Sequence, residues 1–196
     1  MSFVGEAMTF TSEYLRETLQ ISMRIDAKAI EALVELLENT RPHGGRVFVL
    51  GLGGSLANAT HLAADLRQRA GLQAEAPESL PELTALSNDV GWGSMFPAWL
   101  ASRDPDVDDL VLVLSVGGGD YPAGTSVPLA NALIYAQTLG VATAGIVGAP
   151  GGKCAEIADV VVQIPTVAPD RKTEHCEGWQ GIIHHLIVGH PRLRRA

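Results

Sequence analysis

The sequence predicts an α/β domain with a mostly parallel central sheet flanked by helices, arranged as a three-layer sandwich. Four short segments are apolar throughout, without the alternation of a half-exposed strand, and they alternate with segments of helical character. Parallel strands that are buried on both faces show such continuous apolar runs, because the connecting helices cover both sides of the sheet. A glycine-rich loop follows two of these strands, which is typical of ligand-binding α/β domains.

The composition favours one globular domain over residues 1–196. With 196 residues, of which 46% are hydrophobic and 18% charged, the chain can fill one hydrophobic core but is too short for two domains of ordinary size. No apolar stretch approaches the roughly 20 residues that span a bilayer. The N-terminus lacks a basic segment followed by an apolar one, so neither a membrane span nor a signal peptide is predicted.

Charge and cysteine usage narrow the class of protein. The net charge of −8 argues against a nucleic-acid surface, since such a surface needs clustered Lys and Arg. The arginine-rich tail, residues 190–196, is interpreted as a solvated end. The two cysteines, Cys154 and Cys176, form no C-x-x-C pair, so no disulfide framework is expected. A reducing, cytoplasmic location is consistent with this pattern.

Residues 11–40 are predicted to form two helices before the first strand. Asp26 is a plausible N-cap for the second helix, whose apolar residues fall on one stripe, and Pro42 with two glycines ends it. The two helices carry more apolar surface than a peripheral, solvent-exposed extension would. We therefore expect the helices of residues 1–45 to pack on another subunit.

The remaining elements follow from apolar runs and glycine or proline breaks. Residues 104–109 are predicted to be an exposed acidic turn, and residues 88–93 a loop between two helical pieces, in which Asn and Asp supply local hydrogen bonds. Strands are predicted at residues 46–50, 110–114, 141–147 and 159–164, and helices at residues 56–69, 129–139, 154–158 and 174–188.

The first glycine loop has the features of an anion site. Gly53 and Gly54 let the backbone approach a ligand, the first amides of the following helix point at it, and Ser55 adds a hydroxyl donor. A Walker loop is excluded because Gly-Lys-Ser/Thr is absent, and the third glycine of a dinucleotide fingerprint would fall at Leu56. A single sugar phosphate fits better.

The second glycine loop repeats this arrangement after the strand at residues 110–114. Its candidate ligand-binding residues are Ser115, Gly117, Gly118, Gly119 and Asp120. Ligands of parallel sheets lie beyond the carboxyl ends of the strands, where both loops are expected.

A metal site is also possible on the helices. His61 and Asp65 are four residues apart and project from one face, and four of the six histidines lie between residues 175 and 190. Lone helical histidines are more often hydrogen-bonded core or surface residues than ligands. The set His61, Asp65, Glu177 and His185 nevertheless has the donors that zinc or a similar divalent ion prefers.

Several of these motifs together resemble the sugar isomerase (SIS) domain, and within it the phosphoheptose isomerases. The resemblance extends over nearly the whole chain. It rests on Leu50-Gly51-Leu52-Gly53-Gly54-Ser55, Ala59-Thr60-His61 with Asp65, Ser87-Asn88-Asp89 before Gly91-Trp92, and Gln180…His185…His190-Pro191.

The resemblance implies a role for each matching position. Ser55 matches a phosphate-binding serine, His61 a metal histidine, and Asp65 stands where many members have Glu. His185 matches the catalytic histidine if Glu177 replaces the family's Gln ligand eight residues earlier. The competing register pairs Cys176 with His184. We prefer the first register because the apolar residues Ile182, Ile183, Leu186 and Ile187 then fall on apolar positions.

The second loop departs from the family pattern. Many members have Ser-Thr-Ser-Gly-Asn-Ser there, whereas this chain has Ser-Val-Gly-Gly-Gly-Asp and a longer insert. Two hydroxyl donors are lost and an acid is gained, which resembles a branch with a longer second loop. Bare glycine amides still make an anion nest. Another ketose phosphate, such as an octulose phosphate of a natural-product sugar pathway, is therefore an alternative substrate.

The resemblance implies an isomerase that interconverts sedoheptulose 7-phosphate and a heptose 7-phosphate through an enediol. Asp65 and His185 are the expected acid/base pair, a divalent metal assists, and Asn88 and Asp89 are candidates for the sugar hydroxyls. A homotetramer with sites at subunit interfaces is also implied. The alternative from another class is a non-catalytic SIS module that binds a sugar phosphate or a protein partner.

Overall fold

The computed structural model describes residues 9–194 as a five-stranded, wholly parallel sheet with helices on both faces. The strand order is β2-β1-β3-β4-β5. The strands are β1 Arg46–Leu50, β2 Gln73–Glu75, β3 Leu110–Ser115, β4 Ala142–Gly148 and β5 Val160–Ile164, and the helices are α1 Phe10–Arg24, α2 Ala27–Thr40, α3 Gly54–Asp65, α4 Leu80–Val90, α5 Met95–Ala101, α6 Val127–Thr138, α7 Gly152–Ile157 and α8 Lys172–Gly189. The ends of the predicted domain, residues 1–8 and 195–196, lie outside the described residues.

The three-layer architecture is confirmed by the two cores of the sheet. Val47 and Val49 pack on one face with α2, α3 and α8, whereas Phe48 and Leu50 pack on the other with α5 and α6. Alternate residues of one strand thus enter different cores, as the pleat requires. Both faces are apolar, which explains the continuous apolar runs in the sequence.

All four predicted strands are present, and the structure adds a fifth, β2. This strand pairs in parallel with β1 at the sheet edge, where Ala74 lies opposite Val47. Its three residues include two polar ones, so it lacks the apolar run by which the other strands were predicted.

The predicted helical pair is confirmed as α1 and α2. Asp26 caps α2, since its Oδ1 accepts a hydrogen bond from Lys28 N at 2.8 Å, and the apolar stripe of α2 is buried. Helix α1 buries only Glu17 and Ile21. Its remaining apolar side chains are exposed in the single chain, namely Phe10, Leu15, Leu19 and Met23.

Two predicted loops are corrected. Asn88 and Asp89 lie in the last turn of α4, and the chain turns only at Gly91, whose φ of 83° is open to glycine. Asp109, predicted within an exposed turn, is only 2% exposed. Its carboxylate binds Arg46, with Oδ2 2.6 Å from one guanidinium nitrogen, because the start of β1 lies beside the start of β3.

No helix within residues 9–194 has both the length and the apolar character that crossing a membrane demands.

Candidate active site

The first glycine loop joins β1 to α3 at the carboxyl edge of the sheet. Gly53 has a φ of 57° and is exposed together with Gly54, whereas Ser55 is buried at the start of the helix. The α3 N-terminus has no side-chain cap. Its first amides therefore have no side-chain acceptor, and amides of this kind can bind an anion.

The second glycine loop is more closed than the sequence suggested. The Ser115 hydroxyl accepts a hydrogen bond from Gly118 N at 3.0 Å, so it already serves the loop itself. The carbonyls of Gly118 and Gly119 accept hydrogen bonds from the first amides of α7. Gly118 and Gly119 are buried, and Gly117 is half-buried. Of the three predicted glycines, Gly117 is thus the most accessible.

Asp120 begins a short hairpin in the insert that follows this loop. Its backbone pairs with Thr125, and its Oδ1 accepts a hydrogen bond from Ala123 N at 3.0 Å. The acid therefore supports the turn of the insert, which gives it a structural role beside the predicted ligand-binding one.

Helices α3 and α8 bring a cluster of histidines around one carboxylate. Oδ2 of Asp65 lies 2.9 Å from Nε2 of His184, 3.7 Å from Nδ1 of His185 and 3.8 Å from Nε2 of His61. A nitrogen from each of the three histidines lies within 4.8 Å of the others. We call His61, Asp65, His184 and His185 the histidine cluster.

The members of the histidine cluster differ in burial. The side chains of His61 and His185 are 56% and 54% exposed, whereas that of His184 is 1% exposed. Burial lowers the pKa of His184 to about 4, against the opposing hydrogen bond to Asp65. His184 is therefore neutral at pH 7, and its Nε2–H donates to the carboxylate, which can only accept.

Glu177 lies away from the cluster in which the sequence analysis placed it. Its carboxylate packs against Gly54, where a Cβ would overlap it, two helical turns before His184. Cys176, from the competing register, points its Sγ at Ser115 O, 3.6 Å away. Neither predicted register brings both of its α8 residues to Asp65. His184 contacts Asp65, but Cys176, eight positions earlier, contacts Ser115 at the second loop.

The four apolar residues that favoured the register of Glu177 and His185 do not all lie on the buried face of α8. In the single chain Ile182 and Leu186 are exposed, at 45% and 44%, so they do not mark the buried face of α8. The buried face is a stripe that includes His184 and consists of His175, Cys176, Trp179, Gln180, Ile183, His184, Ile187 and Val188. His185, the next residue along, faces the open side.

The alignment of the two helices is set by Asn58 of α3. Its Nδ2 donates to the carbonyl of Glu177 at 2.9 Å and to Oε1 of Gln180 at 3.0 Å. Gln180 is fully buried. These bonds place His184 one turn further on, opposite Asp65. Sequence reasoning did not select Asn58, although an amide side chain in the otherwise mostly apolar first half of α3 was a signal of a buried polar contact.

An open cleft beside His61 separates α3 from the start of α4. It is lined by Leu56, Thr60, His61, Pro77, Glu78, Leu80 and Leu83. Asn88 and Asp89, predicted to bind sugar hydroxyls, lie at the far end of α4. Their side chains bond to each other at 2.9 Å and are exposed.

The donor set of the histidine cluster fits a divalent metal ion. Three imidazoles and one carboxylate are ligands that zinc accepts. Nδ1 of His184 is buried and has no hydrogen-bond partner among residues 9–194. Because Nε2 alone contacts Asp65, this imidazole has capacity for one additional partner. Glu177 is not needed to complete four donors.

The fold is that of the SIS-domain sugar isomerases. The solved structure of a phosphoheptose isomerase from Francisella tularensis matches with a TM-score of 0.80 at 21% identity, covering 93% of this chain and 97% of that one.

Sequence relatives define the family more narrowly, although no family model matches the chain. A phosphoheptose isomerase from Geotalea daltonii is 36% identical over 163 residues, covering 80% of this chain and 80% of that protein. One from Chlorobaculum parvum is 32% identical over 196 residues, covering 95% and 84%. The chain belongs to the phosphoheptose isomerase family, and it is an aldose–ketose isomerase of a sugar phosphate.

Proposed function

We propose that the chain interconverts sedoheptulose 7-phosphate and D-glycero-D-manno-heptose 7-phosphate through an enediol. The supporting observation is that one helix carries both ends of the candidate site. Ser55 and His61 are six residues apart on α3, about 9 Å along its axis, which is comparable with the length of an extended sugar phosphate. The phosphate binds at the glycine loops, and the carbonyl end reaches the histidine cluster.

Asp65 is proposed as the base that moves the proton between adjacent carbons. Its closest contacts with His61, His184 and His185 are all made by Oδ2, so Oδ1 remains available to a substrate C–H. His184 positions this carboxylate by donating to Oδ2. A carboxylate held in this way loses little conformational freedom when the substrate binds.

His185 is proposed as the group that moves protons between the two oxygens of the enediol. It is exposed toward the open side of the cluster, and its Nδ1 lies 3.7 Å from Asp65. An imidazole can donate a proton from one ring nitrogen and accept one at the other.

The proposed cofactor is a divalent metal, most consistent with zinc, held by His61, Asp65, His184 and His185. When bound, such an ion polarises the carbonyl of the substrate and stabilises negative charge on the enediolate. His184 takes the place of Glu177 among the four proposed ligands, because the carboxylate of Glu177 packs on Gly54.

A homotetramer with sites at subunit interfaces is proposed as the working assembly. Leu15, Leu19 and Met23 form an exposed apolar stripe on α1 at a spacing of four residues. Ile182 and Leu186 are exposed on α8 beside His185. Light scattering on the purified protein tests this, and a monomer at micromolar concentration would contradict it.

The proposed activity is tested by incubating the protein with sedoheptulose 7-phosphate, with and without a chelator. His61→Ala and His185→Ala are compared with His43→Ala, an exposed histidine between α2 and β1. We expect loss of turnover with the chelator and with both cluster variants, and normal turnover with His43→Ala. Turnover that survives all of these changes overturns the metal and both assignments.

The insert at the second loop motivates an eight-carbon ketose phosphate as the second candidate substrate. The hairpin closed by Asp120 and Thr125 adds chain at the edge where the substrate is proposed to bind. Comparison of kcat/KM for the seven- and eight-carbon substrates decides between them.

A further inference from the structure

The second glycine loop has one hydroxyl that could bind a phosphate, that of Ser115, and this hydroxyl is already used in a hydrogen bond within the loop. The Ser115 hydroxyl accepts from Gly118 N. Within residues 9–194, however, the amides of Gly117 and Gly119 donate to no backbone or side-chain acceptor. Free amides in a glycine turn favour an anion, and a positive charge nearby strengthens the binding of a doubly charged phosphate.

Lys172 is placed to provide that charge. A Cβ on Gly148, at the end of β4, would lie 3.2 Å from Cε of Lys172 and 2.6 Å from the carbonyl oxygen of Val116. The lysine stem therefore passes over Gly148, beside the residue that precedes Gly117. A side chain larger than hydrogen at position 148 would displace it.

The ammonium of Lys172 makes no ion pair or hydrogen bond in the part of the chain that the structure describes, although the residue is half-buried. It lines a small crevice with Gly148, His175 and Cys176. Burial raises the pKa of the Cys176 thiol to about 12, and the charge of Lys172 opposes this increase. A cation held in a half-buried crevice is stabilised by an anionic partner.

Lys153 offers a contrast at the same loop. Its backbone amide donates to the carbonyl of Gly119, but its ammonium pairs with Glu156 at 3.0 Å. The two lysines thus flank one loop, one with its charge matched and the other without a partner in residues 9–194.

We propose that Lys172 binds the substrate phosphate together with the amides of the second glycine loop, an inference that rests on the proposed function. The lysine then replaces with one charge the hydroxyl donors that the loop lacks. It is a binding residue rather than an acid or base, because the reacting carbons lie at the histidine cluster.

The test compares Lys172→Met, Lys172→Arg and the matched control Lys153→Met. Calorimetry measures the Kd for inorganic phosphate, and steady-state kinetics measures KM and kcat for sedoheptulose 7-phosphate. We expect Lys172→Met to raise the Kd for phosphate and the KM at least tenfold, with kcat little changed. A tenfold change corresponds to ~1.4 kcal/mol of binding free energy, which a charge-assisted contact can supply. Lys172→Arg should recover most of the binding, and Lys153→Met should resemble the wild type.

Unchanged Kd and KM in Lys172→Met would overturn the inference, as would an equal loss in Lys153→Met. If the wild type binds phosphate through Lys172 but does not isomerise the sugar, the proposed function fails and this inference stands. If Lys172→Met does not fold, labelling of wild-type lysines by trinitrobenzenesulfonate gives the answer. Phosphate should protect Lys172 and not Lys153, and equal labelling with and without phosphate would contradict the proposal.

Discussion

His184 of α8 donates its Nε2–H to Oδ2 of Asp65 of α3 at 2.9 Å, across 119 residues of sequence. The bond lies in the seam that Asn58 aligns through Glu177 and Gln180. One residue further along α8, His185 faces the open side and lies 3.7 Å from the same oxygen. Two adjacent histidines therefore differ in burial and in their distance from Asp65, because a helix turns by about 100° per residue.

Replacement of His184 by alanine should lower both metal content and kcat by at least about 10–100-fold, because a proposed ligand is lost together with the group that orients Asp65. Asp65 would lose its closest partner. Metal per chain is measured by mass spectrometry and kcat by turnover, with His43→Ala as the control. Full metal content and full activity in the His184 variant would contradict the role of this residue.

Alanine at Gly118 should destabilise the fold by about 2–5 kcal/mol, since overlap and a left-handed backbone both contribute. Its Cβ would overlap the carbonyl oxygen of Gly151, and its φ is 74°. Gly117→Ala is the matched control, because a Cβ there meets nothing within 4 Å. Urea unfolding measures both variants. Similar midpoints would show that the second loop is looser than described.

Alanine at Asp109 should cost about 2–4 kcal/mol, because Arg46 and two backbone amides lose their acceptor. Asp108→Ala, in an exposed neighbour, should remain within about 0.5 kcal/mol of the wild type. Thermal unfolding distinguishes the two. An equal effect of both substitutions would return Asp109 to the exposed turn that the sequence predicted.

The contribution of Glu17 to stability should disappear in acid. Hydrogen bonds from Arg171, and then from His175, lower the pKa of Glu17 from 4.5 to about 2, and the residue is 6% exposed. A lowered carboxylate pKa stabilises the fold above the unfolded value and loses this effect as the pH falls from about 4.5 to 2.

Urea midpoints of the wild type and Glu17→Gln, measured between pH 7 and pH 2.5, test this dependence. The difference should be largest and constant above pH 5 and should shrink below it. A difference that is independent of pH would show that Glu17 acts only through packing.

Most elements of the fold followed from the sequence, and the exceptions have a common cause. The strands β1, β3, β4 and β5 consist mostly of apolar residues, and glycine or proline breaks follow them closely. Strand β2 was missed because its pairing with β1 is not encoded in an apolar run. Asp109 was misjudged because its partner, Arg46, lies 63 residues away.

The sequence indicated which types of residue form the candidate site, but not which of them contact each other. Ser55, His61 and Asp65 were selected from loop and helix spacing, and His185 from spacing together with the family resemblance. The carboxylate of Glu177 packs on Gly54 rather than beside Asp65, and the sequence alone does not show which face of α8 packs on α3.

The sequence by itself determined the parallel sheet, the two glycine loops and the family, because each depends on residues close together in the chain. Only the tertiary structure decided that His184 rather than His185 faces inward. Helix α8 has apolar residues on both faces, so its periodicity does not define the buried side. That side is set by the contact with α3, which forms only when distant segments pack together.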